Sequence, residues 1–352
     1  MKTKLSPRFW LALSLFSLFG QVAWVVENMY LNVFIYKMFR ASTADISMMV
    51  AASAITATLT TILIGALSDR LGKRKVFMCT GYILWGLSVI SFGFIREGSI
   101  HNLFFPMVSF SGAAISLCIT LTIVLDCVMT FFGSSANDAA FNAWLTDSTD
   151  TTNRGAAEGV NAMMPLIAIL VVFGGFMAFN LDQAESWSII FAVIGGVTIL
   201  VGILGLFLIK DAPIQPSTTS FLQNLLYGFR PSTVRANGKL YFALLAFIVF
   251  NISIQIFMPY LIIYYEVSLG MKDYVLVMAP AIILASVATI IWGRVFDRKG
   301  FRFTSIISLL SLLAGYAVLF LLRSTLPVFI GSLLMMCGYL PAWLCSVPKS
   351  GT

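Results

Sequence analysis

Three acidic residues stand inside long apolar stretches of the sequence: Glu27, Asp126 and Asp138. An ionised side chain at the centre of a bilayer costs about 2.5–3.5 kcal/mol on insertion scales. Such a residue needs either a partner or a task. It can hold and release a proton, bind a cation, or accept a hydrogen bond from a solute hydroxyl. Around Glu27, the residues Gln21, Trp24, Asn28 and Asn32 follow i, i+3, i+7, i+11 spacing and so share one helical face, with Glu27 at its border. Two readings of Glu27 stand side by side: an ion-coupling or solute-binding acid, or an acid at the outer interface or paired with a basic residue.

Asp126 and Asp138 belong to a second polar stretch. Ser134, Asp138 and Asn142 are four residues apart and line up on a regular helix, and the run continues through Trp144 and Asp147 to Arg154. So many polar groups in hydrocarbon would be costly unless they face a wet cavity. The spacing predicts a cavity-lining helix running into a loop near Asp147. The alternative is a stretch that is already an inner loop from Asn137 onwards. Asn251, Gln255 and Pro259 follow i, i+4, i+8 spacing, with Ser253, Tyr260, Tyr264 and Tyr265 nearby. The two amides suit a hydroxyl-binding group, or equally hydrogen bonds between packed helices. The one histidine, His101, is read as a solvated residue of an outer loop. The five cysteines sit inside apolar runs without the paired spacing of a zinc or redox site, and are read as buried structural thiols. No phosphate loop, nucleotide fold or metal cluster stands out, so neither a cofactor nor a metal is expected. The Asp126/Asp138 pair lacks the setting of a soluble active site, and the chain is not read as an enzyme.

The elements that must position these groups follow from composition. Of 352 residues, 59% are hydrophobic and 11% charged, against about 25% charge in a soluble domain. With a mean hydropathy of +0.94, this excludes a soluble enzyme, a disordered regulator and a disulfide-rich secreted scaffold. An all-α integral membrane protein is left. Ten apolar runs are long enough to cross: 9–36, 46–67, 76–95, 105–146, 159–180, 187–209, 240–265, 274–296, 303–322 and 326–345. The first is too long for a cleaved signal peptide and reads as a retained helix. The fourth must cross an odd number of times and reads as one long or tilted helix, with 103–116 at or beyond the outer interface. The hydrophilic stretch 210–239 divides the chain into an N-terminal six-helix bundle, 1–209, and an incomplete C-terminal bundle, 240–352. Phe221–Leu226 reads as a short amphipathic surface helix or a plain loop.

Basic residues set the orientation. With the N-terminus inside, 17 of the 22 Lys and Arg fall on inner segments. They are spread over several short loops rather than gathered in one stripe, so the net charge of +7 reports topology and inner-leaflet contact, not nucleic acid. The expected location is the plasma membrane, with a cytoplasmic N-terminus.

An internal repeat narrows the class. After the second run stands Gly65-Ala-Leu-Ser-Asp69-Arg70-Leu-Gly72-Lys73-Arg74, and after the eighth stands Gly293-Arg-Val-Phe-Asp297-Arg298-Lys-Gly300-Phe-Arg302. Both read G-x-x-x-D-R-x-G-x-R at the inner end of the second helix of their half, the trace of a transporter built from two related bundles. The first Gly permits close helix packing, the second a tight turn, and the basic residues hold the inner interface.

The motif resembles the loop 2–3 signature of the major facilitator superfamily, and its second copy that family's loop 8–9 counterpart. The resemblance implies a twelve-helix fold of two bundles working by alternating access. It also implies that Asp69, Arg70, Asp297 and Arg298 make inner charge contacts that break between states. Asp69 would face the start of helix 11 and Asp297 the start of helix 5, near Arg154. Ten helices are visible of the expected twelve, so a chain truncated after helix 10 is expected. The Asp138–Trp144–Arg154 stretch resembles helix 4 of the glycoside–pentoside–hexuronide cation symporters. Sodium-coupled members carry two more acids on helix 2, where this chain has Ser53 and Ala57, so H+ is expected rather than Na+, through Asp138 or Glu27. The leading expectation is ion-coupled secondary transport of a small polar solute, a sugar or glycoside first. Gln21, Trp24, Asn28, Asn142, Asn251 and Gln255 would bind it, and Glu27, Asp138 and Asp126 would couple the ion. Proton-driven efflux of amphipathic compounds, or a truncated non-transporting membrane protein, are the alternatives. The expected partners are the solute, the ion and the lipid bilayer, with the chain as a monomer.

Overall fold

The computed structural model describes residues 5–104, 111–150, 152–211, 230–271 and 273–346. Over 99, 101, 103–104, 111, 239, 243, 246–247, 289–298, 300–302 and 339–346 it describes the backbone alone. Among the described residues every regular element is helical. Two compact units form, Met1–Phe229 and Arg230–Thr352.

The first unit holds six long helices: α1 (Pro7–Phe39), α2 (Thr43–Leu71), α3 (Arg74–Phe94), α4 (Gly112–Asp147), α5 (Arg154–Phe176) and α6 (Ala184–Leu208). All six are long and apolar enough to cross a membrane. Their ends carry local stop signals. Ser6 caps α1, its Oγ accepting from Phe9 N at 3.2 Å, with Pro7 in the first turn. Ser42 and Asp45 form a reciprocal capping box at the start of α2. At the far end of α2, Gly72 takes φ +62°, a left-handed conformation that glycine adopts without a Cβ clash. The tight turn expected at Gly72 is therefore present.

Two irregularities matter for the site. α1 contains a π-helical turn at Val26–Tyr30, and α4 one at Ser134–Phe141. A π turn inserts an extra residue into the helical repeat and rotates everything beyond it.

Glycines set a close contact between α3 and α6. A Cβ on Gly195 of α6 would stand 2.5 Å from the Gly86 carbonyl oxygen of α3, and one on Gly202 would stand 2.9 Å from that of Cys79. Only hydrogen fits there, so the two backbones meet along a small-residue seam. Outward, α2 exposes Ile55, Leu59 and Leu63, side chains suited to hydrocarbon rather than water.

The second unit contains α7 (Gly238–Phe257), which passes through a 3-10 turn at Met258–Tyr260 and a π turn at Tyr264–Ser268. It also contains α8 (Tyr274–Leu321) and α9 (Thr325–Ser346). α9 folds back on the last part of α8: a Cβ on Gly338 would meet the Ser308 carbonyl oxygen at 2.5 Å. Tyr264 donates to the Leu319 carbonyl at 2.6 Å, and the Tyr265 and Ser332 hydroxyls are hydrogen-bonded.

Several expectations are corrected here. The eighth and ninth runs are not separate helices: α8 is one continuous helix of 48 residues. At about 1.5 Å per residue it is about 72 Å long, more than twice the thickness of a hydrocarbon core. Two apolar segments, Tyr274–Ala288 and Phe303–Leu321, flank its charged middle. The second motif copy, with Gly293, Asp297, Arg298, Gly300 and Arg302, thus lies within a helix, and no turn forms at Gly300. One helical glycine costs only about 1 kcal/mol, and no proline stands between Gly293 and Arg302 to stop the helix, the one inside α8 being Pro280, further back. The fourth run is one long helix from residue 111 onwards, preceded by a short helix, Glu97–Phe104, that carries His101. Residues 111–116 are thus continuous with that helix. The Phe221–Leu226 segment lies outside the described residues. Pro231–Ala236, near the end of the hydrophilic stretch, is a single short helix. Cys79 and Cys118 are buried, and Cys127 and Cys337 half-buried.

Candidate functional site

Glu27 sits in the π turn of α1 and is 6% exposed. Its Oε1 accepts from Thr130 Oγ1 of α4 at 2.8 Å and from Ser53 Oγ of α2 at 3.0 Å. The two hydroxyls are themselves 2.7 Å apart. Glu27 Oε2 has no hydrogen-bond partner among the described residues. Glu27 is thus a buried carboxyl joining three helices through hydroxyl groups, with no ion pair among the described residues.

Asp126 lies one turn before Thr130 on α4, is 2% exposed, and its Oδ1 also has no partner among the described residues. It is close enough to act electrostatically on Glu27, as is Asp138. Both influences come from acids. The polar stripe of α4 is thus Asp126, Thr130 and Ser134, at i, i+4, i+8, and its upper part is regular α-helix.

Beyond Ser134 the π turn breaks that stripe. Ser134 is fully buried, Asp138 half-buried and Asn142 exposed, so the three do not share one face as a regular helix would place them. Asn142 donates to the Asp138 carbonyl at 3.0 Å. Between them, Asn137 turns inward and its Oδ1 accepts from the Tyr82 hydroxyl at 3.0 Å. A Cβ on Gly20 would stand 2.5 Å from that same oxygen, so α1, α3 and α4 meet at this point.

The face expected on α1 is divided in the same way. Gln21 and Trp24 are half-buried and Asn28 is exposed, whereas Asn32, past the π turn, is buried. Trp24 packs on Trp85 of α3 with ring centroids 5.0 Å apart. The Trp85 indole N–H is buried without a partner among the described residues. Asn28 and Asn32 each donate to the carbonyl one turn back, at 2.9 and 2.8 Å. Asn251 and Gln255 are exposed on α7 of the second unit.

The Gly65–Arg74 motif of the first unit is organised around Arg74 rather than Arg70. Arg74 is 4% exposed. Its Nε donates to Asp147 of α4 at 3.0 Å, and its other nitrogens reach Asp69 and Ser68 of α2. Asp69 and Arg70 are exposed, and Gly65 has open space about its Cα. Arg154 donates to the carbonyls of Thr146 and Thr149, closing the end of α4. The side chains of Asp297, Arg298 and Arg302 lie outside the described part of the chain. Sequence reasoning passed over Thr130, took Ser53 only as a missing acid, and did not pair Arg74 with Asp147. The Asp126–Thr130–Ser134 spacing was the available signal for the first of these.

The sequence matches the Major Facilitator Superfamily over residues 9–348, and the chain belongs to that family. No curated protein matches it. Its fold is similar to that of a bacterial homolog of the human lysosomal transporter Spinster, solved inward-facing and unoccupied: TM-score 0.67, 17% identity, 96% of this chain and 75% of that one. It is also similar to the nucleoside transporter NupG, with TM-score 0.67, 12% identity and coverage of 95% and 81%. A D-xylose–proton symporter gives TM-score 0.68, 12% identity and coverage of 96% and 81%. Family and fold are those of multi-pass membrane transporters of small-molecule solutes, not of an enzyme.

Proposed function

We propose that the chain is a secondary active transporter that moves a small polar solute, a sugar or glycoside in the first place, by alternating access coupled to protons. The observation that carries the proposal is Glu27: a buried carboxyl bound by two hydroxyls, with acids, Asp126 and Asp138, as the charged groups acting on it among the described residues. A structural acid would be expected to have a basic partner, because an uncompensated buried charge is expensive. A group that takes up and releases a proton has no such need. Asp126 and Asp138 extend the set of acids along α4.

On the solute side, the half-buried Trp24 offers an aromatic face, and Gln21, Asn28 and Asn142 offer amides for hydroxyls. Asn251 and Gln255 are the candidates from the second unit. The structural neighbour named for D-xylose and protons supports the sugar reading by fold alone. The distribution of basic residues supports a plasma-membrane protein with its N-terminus in the cytoplasm.

The test is uptake into proteoliposomes across a panel of labelled sugars, glycosides and nucleosides, with proton and sodium gradients imposed separately. Accumulation of a sugar or glycoside driven by the proton gradient alone is expected. Accumulation that requires sodium and ignores the proton gradient would overturn the proposed coupling, and no accumulation of any sugar or glycoside would overturn the solute class.

A further inference from the structure

The three oxygens at the centre of the cluster carry a proton count. Glu27 Oε1, Ser53 Oγ and Thr130 Oγ1 form a triangle with edges of 3.0, 2.8 and 2.7 Å. Every edge is a hydrogen-bond distance, and each needs one proton along it. Without one, two oxygens that close face each other lone pair to lone pair. Each hydroxyl brings a single proton, so Ser53 and Thr130 supply two for three edges; Asp126 also interacts with the Ser53 hydroxyl, but the partners at hydrogen-bond distance are Glu27 and Thr130. If both donate to a carboxylate Oε1, the 2.7 Å edge between the hydroxyls is left empty. If one donates to the other, an edge to the carboxylate is left empty. A proton on Oε1 closes the ring: Glu27 donates to one hydroxyl, that hydroxyl to the second, and the second back to Oε1.

We propose that Glu27, Ser53 and Thr130 form a ring of three hydrogen bonds that stores one proton and, while loaded, clasps α1, α2 and α4 together. The identity of this proton as the transported one rests on the coupling proposed above. The charged groups acting on Glu27 are Asp126 and Asp138 of α4; α2 contributes the Ser53 hydroxyl, and α3 brings Tyr82, which lies near Asp138. On unloading, the proton leaves Oε1 for a water molecule reaching the site, giving hydronium and a carboxylate. The ring then holds two protons; both hydroxyls donate to the carboxylate, the stronger acceptor, the edge between Ser53 and Thr130 opens, and α2 is freed from α4. Loading reverses the step. Ser53 and Thr130 are positioning residues: they make the proton a structural link between helices.

The ring is tested by infrared spectroscopy of the full chain in lipid, following the C=O stretch of protonated carboxyl groups as pH is varied. Hydrogen exchange of the α2 amides is followed on the same samples. The expected result is a band that is lost in Glu27→Gln and displaced in both Ser53→Ala and Thr130→Val, with faster α2 exchange once it disappears. Should Glu27→Gln fail to fold, isotope labelling of glutamate carboxyls identifies the band in the unmodified protein. The proposal is overturned by the absence of any Glu27 band across the pH range of the folded protein, or by a band indifferent to both hydroxyl variants. Proton-driven uptake is measured in parallel. Uptake without the band removes the ring and leaves proton coupling standing; the band with its displacements but no proton-driven uptake keeps the ring and removes the coupling.

Discussion

Replacing Arg74 by alanine is the sharpest test of how the ends of α2 and α4 are held together. The Arg74 side chain is 5% exposed and sits between Asp69, 54% exposed, and Asp147, 24% exposed. A hydrogen bond to a charged group contributes about 1.5–3 kcal/mol when well shielded. Asp69 regains water easily, so its share falls to about 0.2–1 kcal/mol, as for a surface pair. Asp147 keeps most of its value, about 1–2 kcal/mol, because it is largely covered. Ser68 still donates to the Gly65 carbonyl at 3.0 Å and loses little. The truncation also leaves a void where the guanidinium packed. Arg74→Ala should therefore cost about 2–4 kcal/mol. Arg74→Lys keeps the charge but not the planar fork that reaches both carboxylates, and should recover about half of that. Reversible denaturant unfolding of the purified protein in detergent, followed by tryptophan fluorescence, measures both. A double-mutant cycle with Asp147→Asn should give a coupling of about 1 kcal/mol or more. A loss below about 0.5 kcal/mol in Arg74→Ala, or an Arg74→Lys protein as stable as the original, would refute the reasoning.

Three further outcomes follow from the packing. Gly195→Leu should separate α3 from α6, lowering the melting temperature and the yield of folded protein, since even a Cβ would stand 2.5 Å from the Gly86 carbonyl oxygen; unchanged melting would remove the small-residue seam. Tyr82→Phe should cost about 1–2 kcal/mol in the same unfolding assay, because its single hydroxyl proton is shared between the Phe16 carbonyl at 2.6 Å and Asn137 Oδ1 at 3.0 Å. Arg8→Ala should cost only about 0.3–1 kcal/mol: Arg8 is exposed and caps the last carbonyls of α6, Phe207 and Leu208, and raised salt should shrink the difference.

What could be read from the sequence divides along physical lines. Membrane class and most helix positions depend on the length and polarity of runs, which are properties of composition, and every run but the eighth and ninth, which share one helix, begins and ends near the ends of a described helix. The Gly72 turn was legible because a lone glycine between two apolar runs, followed by Lys73, Arg74 and Lys75, has few other uses. The identical motif at Gly300 misled, because a glycine permits a turn without requiring one. Glu27 was visible as an acid out of place, but its burial was not. A face drawn at a regular helical repeat takes no account of the extra residue at Val26–Tyr30, and that residue turns Asn32 inward. The same slip on α4 separates Ser134 from Asn142 and directs Asn137, read only as the start of an alternative loop, to Tyr82. Ser53 was invisible for a different reason. A serine in an apolar run is ordinary, and only the neighbouring helices give it two oxygen partners.

The most direct measurement of the central claim is solute-driven proton movement. Purified protein is reconstituted into liposomes carrying an internal pH indicator, and the accepted solute is added outside without any imposed gradient. The account predicts acidification of the lumen as the solute enters, abolished in Glu27→Gln while that variant still binds solute and exchanges it across the membrane. Solute entry with no change in internal pH, or an undiminished pH change in Glu27→Gln, would contradict it.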